Sequence, residues 1–365
     1  MASNKNQHYV PKVHLNPFTL RCEGNAINML NLDRMKAIQN VSVSGQCSGD
    51  YFYGQDERLE TAINTVESAY GAIIRSLTSV GDISPGVDIV LRRFIYLQHV
   101  RTDAAARKSS EMMSTIANMP HTEISFPPFR EMIKSAVQSA MLHYANSMEI
   151  VNDLKLCVCR NKTDVPFVTS DNPAILTNRL LLQRPQPMYR GFGAKTAGAV
   201  FFLPLTPSLL AILYDGDVYS LIHNSRQIEI TRQADINAIN QLQFMSCAAN
   251  IYFKSWDGHQ KTLHDAQAAL PLRPETAHTV HYATLDETND WGKRYIVRPA
   301  TEIQAGEETM IHVITNHPKP KSWPSFLRFR SDAKAWSNNT GAGLTRRGCL
   351  ENGIVTSGNY RKIRV

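Results

Sequence analysis

The chain has 365 residues, 43% of them hydrophobic and 19% charged, with a formal net charge of +7. That length allows one large or about two ordinary domains of roughly 150 residues. No apolar run reaches the roughly 18 residues needed to span a bilayer, which excludes a helical membrane protein. The opening MASNKNQ lacks the basic end and apolar stretch of a secretory signal, which points to the cytoplasm.

The six cysteines (Cys22, Cys47, Cys157, Cys159, Cys247 and Cys349) form no CxxC pair and no framework spacing, so reduced thiols are predicted. Cys157 and Cys159 share one face of a predicted strand and read as small buried hydrophobes or as two soft ligands. From Pro318 onward ten Lys or Arg stand against Asp332 and Glu351, so this stretch carries +8 and the remainder about −1. The basic surplus is entirely C-terminal.

In chain order, NQHYVPKVHL (6–15) comes first, and its two histidines, tyrosine and proline predict a segment pinned into the fold. Residues 26–54 alternate apolar and polar pieces between Gly and Asn turns, as one or two short hairpins do. Leu59, Ile63, Val66 and Tyr70 recur at helical spacing and predict a helix from Glu57 to about Leu77. Ser84-Pro85 opens another, with a capping hydroxyl and a proline where no backbone donor is missed, running to about Ser109. After Pro127-Pro128 a third pattern spans Phe129 to Val151, so 55–152 read as a helical unit.

Strand signals follow at KLCVCR (155–160), PFVTSDNPAILT (166–177), GAVFFLPL (198–205), SLLAILYD (208–215) and DVYSLI (217–222). One further helix is predicted from Arg232 to Phe253, and RYIVRP, MIHVIT and FLRFR are strand candidates in a mixed remainder. Segregated helices and strands argue an α+β class: N-terminal strands and a helical unit packed on a largely antiparallel sheet, with a mixed C-terminal extension. The expected division is 1–255 for the α+β domain and 256–365 for a basic extension or small second domain.

Several constellations could carry chemistry. In QHYVP, His8 titrates near neutrality, Tyr9 offers a phenol and Pro11 stiffens their backbone. The alternative is a terminal strand whose side chains only hydrogen-bond to the core, and His14 reads as packing or surface. On the second long helix Val90, Phe94 and Leu97 form an apolar stripe that Arg101 continues, while Leu91 and Ile95 lead to Gln98. A guanidinium on a core-facing stripe requires a carboxylate, a carbonyl or an anionic ligand.

Glu60, Asn64 and Glu67 share a face of the preceding helix, either as a solvated row or with Glu67 pairing Arg101 or His8. VTSDNP (168–173) puts Ser170, Asp171 and Asn172 at a strand end, and Pro173 restricts Asn172. These residues could hold a metal, activate water or bind phosphate, or form an ordinary Asx-turn. No nucleophile elbow, Walker loop, HExxH or GxGxxG occurs, and the HxxH of His278 and His281 is too common a spacing to mark a metal site. In FLRFR, Arg328 and Arg330 lie on one strand face, suited to phosphates or to solvation, in a tail that interleaves Trp323, Phe326, Phe329 and Trp336 with basic residues.

The order of QHYVP, FIYLQHVRTDAAAR, PFVTSDNPAIL, FFLPLTPSLLAIL and a late helix bearing Asn240 resembles the bacterial domain-of-unknown-function family 4238 over about residues 4–255. Val13-His14 depart from that family's second aromatic after the proline. The resemblance implies that His8, Tyr9, Gln98, Arg101, Ser170, Asp171, Asn172 and Asn240 occupy motif positions, and it carries no established activity.

The opening motif is therefore expected to pair near Ser170 to Asn172, with Gln98 and Arg101 converging from the helical unit on one polar pocket. The expected function is a hydrolase acting on a phosphate-containing substrate, nucleic acid foremost, as a toxin or defence effector. His8 is the expected acid or base, Asp171 the water-orienting carboxylate or ligand of a divalent metal ion, and Arg101 the stabiliser of phosphate charge. Tyr9, Gln98, Ser170, Asn172, Asn240, Arg328 and Arg330 are the expected substrate contacts. The alternative is a non-catalytic module binding nucleic acid or protein.

Overall fold

In the computed structural model the described residues are 5–79, 83–117, 127–183, 191–289, 292–304, 306–338, 343–356 and 359–365. The first strand, β1 (Asn6–His8), is followed by the short helix α1 (Lys12–Leu15), the hairpin β2 (Ala26–Asn31) and β3 (Lys36–Ser42), and β4 (Ser48–Asp50). β1 pairs antiparallel with β4, so the chain start is stitched down as its polar motif predicts.

The helical unit comprises α2 (Glu57–Ser79), α3 (Pro85–Val100), α4 (Asp103–Ala117) and α5 (Phe129–Ser147). Ser84 caps α3 by accepting from the Val87 amide at 3.3 Å. The helix expected to continue to Ser109 instead breaks at Arg101-Thr102. Thr102 Oγ1 accepts from the Ala105 amide at 3.2 Å, as an N-cap does, and starts α4 afresh.

β5 (Lys155–Asn161), β6 (Thr169–Ser170), β7 (Ile175–Thr177), α6 (Arg179–Gln183), β8 (Val200–Thr206), β9 (Leu209–Tyr214), β10 (Tyr219–Ser220), β11 (Gln227–Ile230), α7 (Gln233–Ser246) and β12 (Asn250–Phe253) come next. The central sheet has the order β11-β5-β9-β8-β7, antiparallel except for the parallel β11–β5 pair. Its residues divide cleanly by face. Leu156, Val158, Phe201, Leu203, Ala211 and Leu213 join the core of the helical unit. Cys157, Cys159, Val200, Phe202, Leu210 and Ile212 join a second core with Ile236 and Ile239 of α7. A sheet buried on both faces needs unbroken apolar strands, which is why VFFLPL and LLAILY do not alternate. All six cysteines are free thiols, and Cys157 and Cys159 are buried side by side on one face.

The helix expected over 232–253 ends at Ser246, and its last residues form β12 between β2 and β6. The cause is electrostatic: Asp171 captures the amides of Ala248, Ala249 and Asn250, which ends helical bonding there. Later come α8 (His259–Ala269), β13 (His278–Asn289), β14 (Gly292–Arg298), β15 (Thr309–Thr315), β16 (Arg328–Phe329), β17 (Lys334–Ser337), β18 (Leu344–Thr345), α9 (Arg347–Glu351) and β19 (Arg361–Arg364). β14-β13-β15 and β18-β17-β19 are separate three-stranded sheets. Ala266, Leu327, Ala335 and Leu344 are part of the second core, so the segments past 255 that carry them pack there.

His14 ties the start of the chain to both the helices and the second sheet. It is fully buried, with Nδ1 2.7 Å from the Tyr70 hydroxyl and Nε2 2.9 Å from Thr169 Oγ1. Burial, aided by the nearby Arg101 charge, pushes its pKa down to about 3, so the ring is neutral at physiological pH. A folded-state pKa below the ordinary value of about 6.5 gives stability that is present above that value and lost on acidification, by about 1.4 kcal/mol per pH unit for one group. The stability gap between wild type and His14→Gln, measured by urea unfolding, should therefore narrow as the pH falls below 6.5. A gap independent of pH would remove this assignment.

Candidate functional site

β1 and α2 meet across a polar cleft of about 190 Å³. His8, Lys12, Tyr53, Glu60, Asn64 and Glu67 are among its lining residues. The row Glu60, Asn64, Glu67 faces this cleft because i, i+4 and i+7 positions stack on one side of a helix. Gln7 fixes the cleft floor by donating to the Gly54 carbonyl at 2.9 Å and accepting from the Tyr53 amide at 2.7 Å. The Tyr53 hydroxyl in turn donates to the His8 carbonyl at 3.2 Å.

His8 is half-buried, and burial, then the Lys12 charge, lowers its pKa against the Ser44 and Val43 backbone carbonyls near the ring, which raise it. Its Nε2 is shielded from solvent and has no hydrogen-bond partner; among the described side chains that are not exposed, Arg93 Nε is the other such atom. A buried polar atom left without a partner requires an explanation.

Behind the cleft lies Arg101, 0% exposed. Its Nη1 donates to Glu67 Oε1 at 2.8 Å, while Nε and Nη2 both donate to Gln98 Oε1 at 2.9 and 2.8 Å. Gln98 passes the restraint on by donating to the Tyr9 carbonyl at 2.9 Å. Burial opposes the guanidinium charge, but Tyr53 and Glu67 outweigh it and hold its pKa above the usual value. Arg101, Gln98, Glu67 and the QHYVP strand thus form one connected unit. The Tyr9 ring packs on Phe52, and burial raises the pKa of its phenol.

The TSDNP turn lies elsewhere. β1 pairs with β4 and β6 with β12, so the expected pairing of the opening motif near Ser170 to Asn172 does not form. The link between them runs through His14 and Thr169. Asp171 is 3% exposed; Oδ1 accepts from Ala248 and Oδ2 from Ala249 and Asn250, at 2.7, 2.8 and 2.8 Å. Desolvation raises its pKa to about 6 despite those amides.

Ser170 donates to Gln243 Oε1 at 2.7 Å, and Asn172 accepts from Thr102 at 3.0 Å and donates to the Ser246 carbonyl at 2.8 Å. Asn240 bridges the Val168 amide and the Pro166 carbonyl at 3.1 and 2.9 Å. Ser170, Asp171, Asn172 and Asn240 lock α7 to the sheet and do not line the cleft.

Arg328 is exposed on β16, opposite Ser220. Arg330 donates to the Gly216 carbonyl at 2.6 Å and lines a second cleft, of about 230 Å³. There Lys155, Arg330, Lys334 and Arg347 face Asp153, Asp215, Asp217, Asp332 and Glu351, so its cations are balanced by carboxylates. His278 and His281, three apart on β13, point to opposite strand faces. Among the described residues no group of three or more His, Cys, Asp or Glu could hold a metal ion, and no helix is long and apolar enough to cross a membrane.

Sequence reasoning left Lys12, Gln7 and Tyr53 out of the site. The polar row on α2 was the visible signal for its far wall.

Fold and site together define an α+β protein whose own first strand walls a polar cleft. The chain belongs to the family described as protein of unknown function DUF4238, whose model matches residues 6–257. No curated protein and no solved structure matches it.

Arg101→Ala should cost about 3–5 kcal/mol, because it strands Glu67 and the Gln98 carbonyl without their donor. Asp171→Asn should also destabilise, since its amide would set donors against three backbone donors. Urea unfolding measures both, and a loss under about 1 kcal/mol for Arg101→Ala would contradict the buried-pair account.

Proposed function

We propose that this protein is a hydrolase acting on a small polar substrate held between β1 and α2, with His8 as general acid–base. The observation that carries this reading is His8 on the wall of a cleft furnished with Lys12, Glu60, Asn64 and Glu67, with an Nε2 that no hydrogen bond holds and that a turn of the ring would bring into the cleft. The buried His14, by contrast, is bonded at both nitrogens. A neutral imidazole can take a proton from water as that water adds to the scissile carbon or phosphorus, then return it to the leaving group.

Glu67, clamped by Arg101, offers a fixed acceptor for the substrate or the water, and Gln98 and Tyr9 act by positioning Arg101 and the His8 strand. Catalysis needs such rigid supports, because small misplacements of the reacting groups are costly.

The cleft's charges favour neutral or cationic substrates over polyphosphates, since Lys12 faces Glu60 and Glu67. Arg101, expected to stabilise phosphate charge, has its donors engaged by Glu67 and Gln98. The carboxylate of Asp171 is saturated by backbone amides, which suits a stabilising role better than water activation. A second reading, a non-catalytic binding module, is favoured by that same internal satisfaction. It predicts ligand binding at the cleft without turnover.

The test is a panel of nitrophenyl esters, a nitrophenyl phosphate mono- and diester, RNA and DNA, each with and without Mg²⁺ or Mn²⁺. His8→Ala should lower the active rate by about 10²–10⁴-fold with an unchanged melting temperature. Because His8 works deprotonated and its pKa is lowered, the rate should rise with pH below neutrality and level off by pH 7. Equal rates for wild type and His8→Ala on every substrate would end the catalytic assignment.

A further inference from the structure

The C-terminal sheet β18-β17-β19 has one face buried and the other open at its β19 edge, while Thr345 on β18 is covered and donates to the Lys195 carbonyl at 3.2 Å. Residues directly opposite on antiparallel strands share a face, with Cβ atoms about 4.5–5.5 Å apart, as do residues two apart on one strand. Trp336 stands opposite both Lys362 and Thr345, and Lys334 stands opposite Arg364. Lys334, Trp336, Lys362 and Arg364 therefore form one surface.

The reverse side presents Ala335 and Leu344 to the second core, with Ile363 packed against it. Lys362 and Arg364 are exposed, while Lys334 and Trp336 are half-buried. Of the tail's other aromatics, Trp323, Phe326 and Phe329 pack against that core, whereas Trp336 and Tyr360 join none of the described hydrophobic clusters. Trp336 is thus a half-buried indole with Lys362 opposite it and Lys334 two residues away on the same face.

We propose that this face binds single-stranded nucleic acid, with a base stacked on Trp336 and neighbouring phosphates held by Lys362 and Arg364. Aromatic platforms beside basic side chains are how sheets grip an unpaired strand, because every base has a π-face and every linkage a charge. The alternatives fit less well. An anionic lipid surface would use the cations but needs exposed apolar side chains to insert, and the exposed positions of this face, Lys362 and Arg364, are charged, while an acidic peptide offers nothing to stack.

Arg364 Nη2 also donates to the Ser331 carbonyl at 2.8 Å, which orients it, and Lys334 pairs with Asp332 at 2.8 Å. Lys334 and Asp332 border the mixed-charge cleft with Asp215, Asp217 and Glu351, whose carboxylates repel phosphate. The nucleic-acid strand is therefore held on Trp336, Lys362 and Arg364, with Lys334, opposite Arg364, marking where the mixed-charge cleft begins. This surface is independent of the His8 site, and neither proposal depends on the other.

Fluorescence anisotropy of a labelled oligothymidine with the full-length chain tests it. Trp336→Ala should weaken binding by on the order of ten- to a hundredfold, while Trp336→Phe retains most of the affinity. Each lost phosphate contact lowers the salt slope by about 0.7, so Lys362→Gln combined with Arg364→Gln should flatten it by about 1.4. Circular dichroism checks the fold of each variant. Should Trp336→Ala not fold, the two exposed-residue substitutions decide the matter. Unchanged affinity in Trp336→Ala, an unchanged salt slope in the double variant, or equally tight binding of duplex DNA or phosphatidylserine vesicles would overturn the proposal.

Discussion

A guanidinium sealed from water is the constraint around which the first half of this fold is arranged. Charge of that kind is tolerated only where its donors meet acceptors, since desolvation costs several kcal/mol for each ion. Arg101 sits where α3 ends, and its partners come from α2 through Glu67 and from its own helix through Gln98. The carbonyl of Tyr9 completes the chain by holding Gln98. The N-terminal strand is thereby fixed by the same requirement that keeps the arginine solvated by protein. The cleft exists because α2 and β1 are clamped from behind at a set separation.

A second buried charge performs the same service for the other side of the molecule. Asp171 draws three consecutive amides onto its two oxygens, and in doing so converts the end of α7 into β12. Its neighbours Ser170 and Asn172 fasten α7 and the α3–α4 junction to the same turn. Thr102 is the hinge between the two systems: it caps α4 and donates to Asn172. Arg101 and Asp171 therefore sit in adjacent networks, each closed within itself, and the two communicate through a threonine and through His14.

Much of this was legible in the sequence, and the reasons for the gaps are physical. Helical period revealed α2, the Ser84-Pro85 start and the Arg101 stripe, because burial imposes spacing on whichever residues face the core. The i, i+4, i+7 row of Glu60, Asn64 and Glu67 already offered pairing with Arg101 as one of two readings. The conversion of 250–253 to strand was hidden because it depends on Asp171, more than 70 residues away in sequence, and the break at Thr102 because its local cap on Ala105 is joined by a bond to the similarly distant Asn172.

Local letters could not say that Asp171 would spend both oxygens on backbone amides. SDN before a proline is written identically whether it caps a loop or holds a metal. Net charge likewise does not say which cations of the tail are free: Arg330 faces the carboxylates of its own cleft and Arg346 is buried against Asp153 and the Ala194 carbonyl, whereas Lys362 and Arg364 are exposed.

The histidines make the distinction between support and chemistry within one molecule. His14 is bonded at both nitrogens, His99 reaches the Ala174 carbonyl at 3.2 Å, and His317 stacks on Phe192 while reaching its carbonyl at 3.2 Å. Burial holds these three at about 3, 4 and 3, so each stays neutral across the physiological range and serves as packing with a polar contact. His8 shares the lowered pKa yet keeps an unpartnered nitrogen at the one strand that the Arg101 network takes pains to immobilise. His8 thus differs from His14, which is bonded at both nitrogens: it lies on the wall of a cleft shared with the oriented carboxylate of Glu67, and its shielded Nε2 would have to turn toward that space before it could exchange a proton with a reactant.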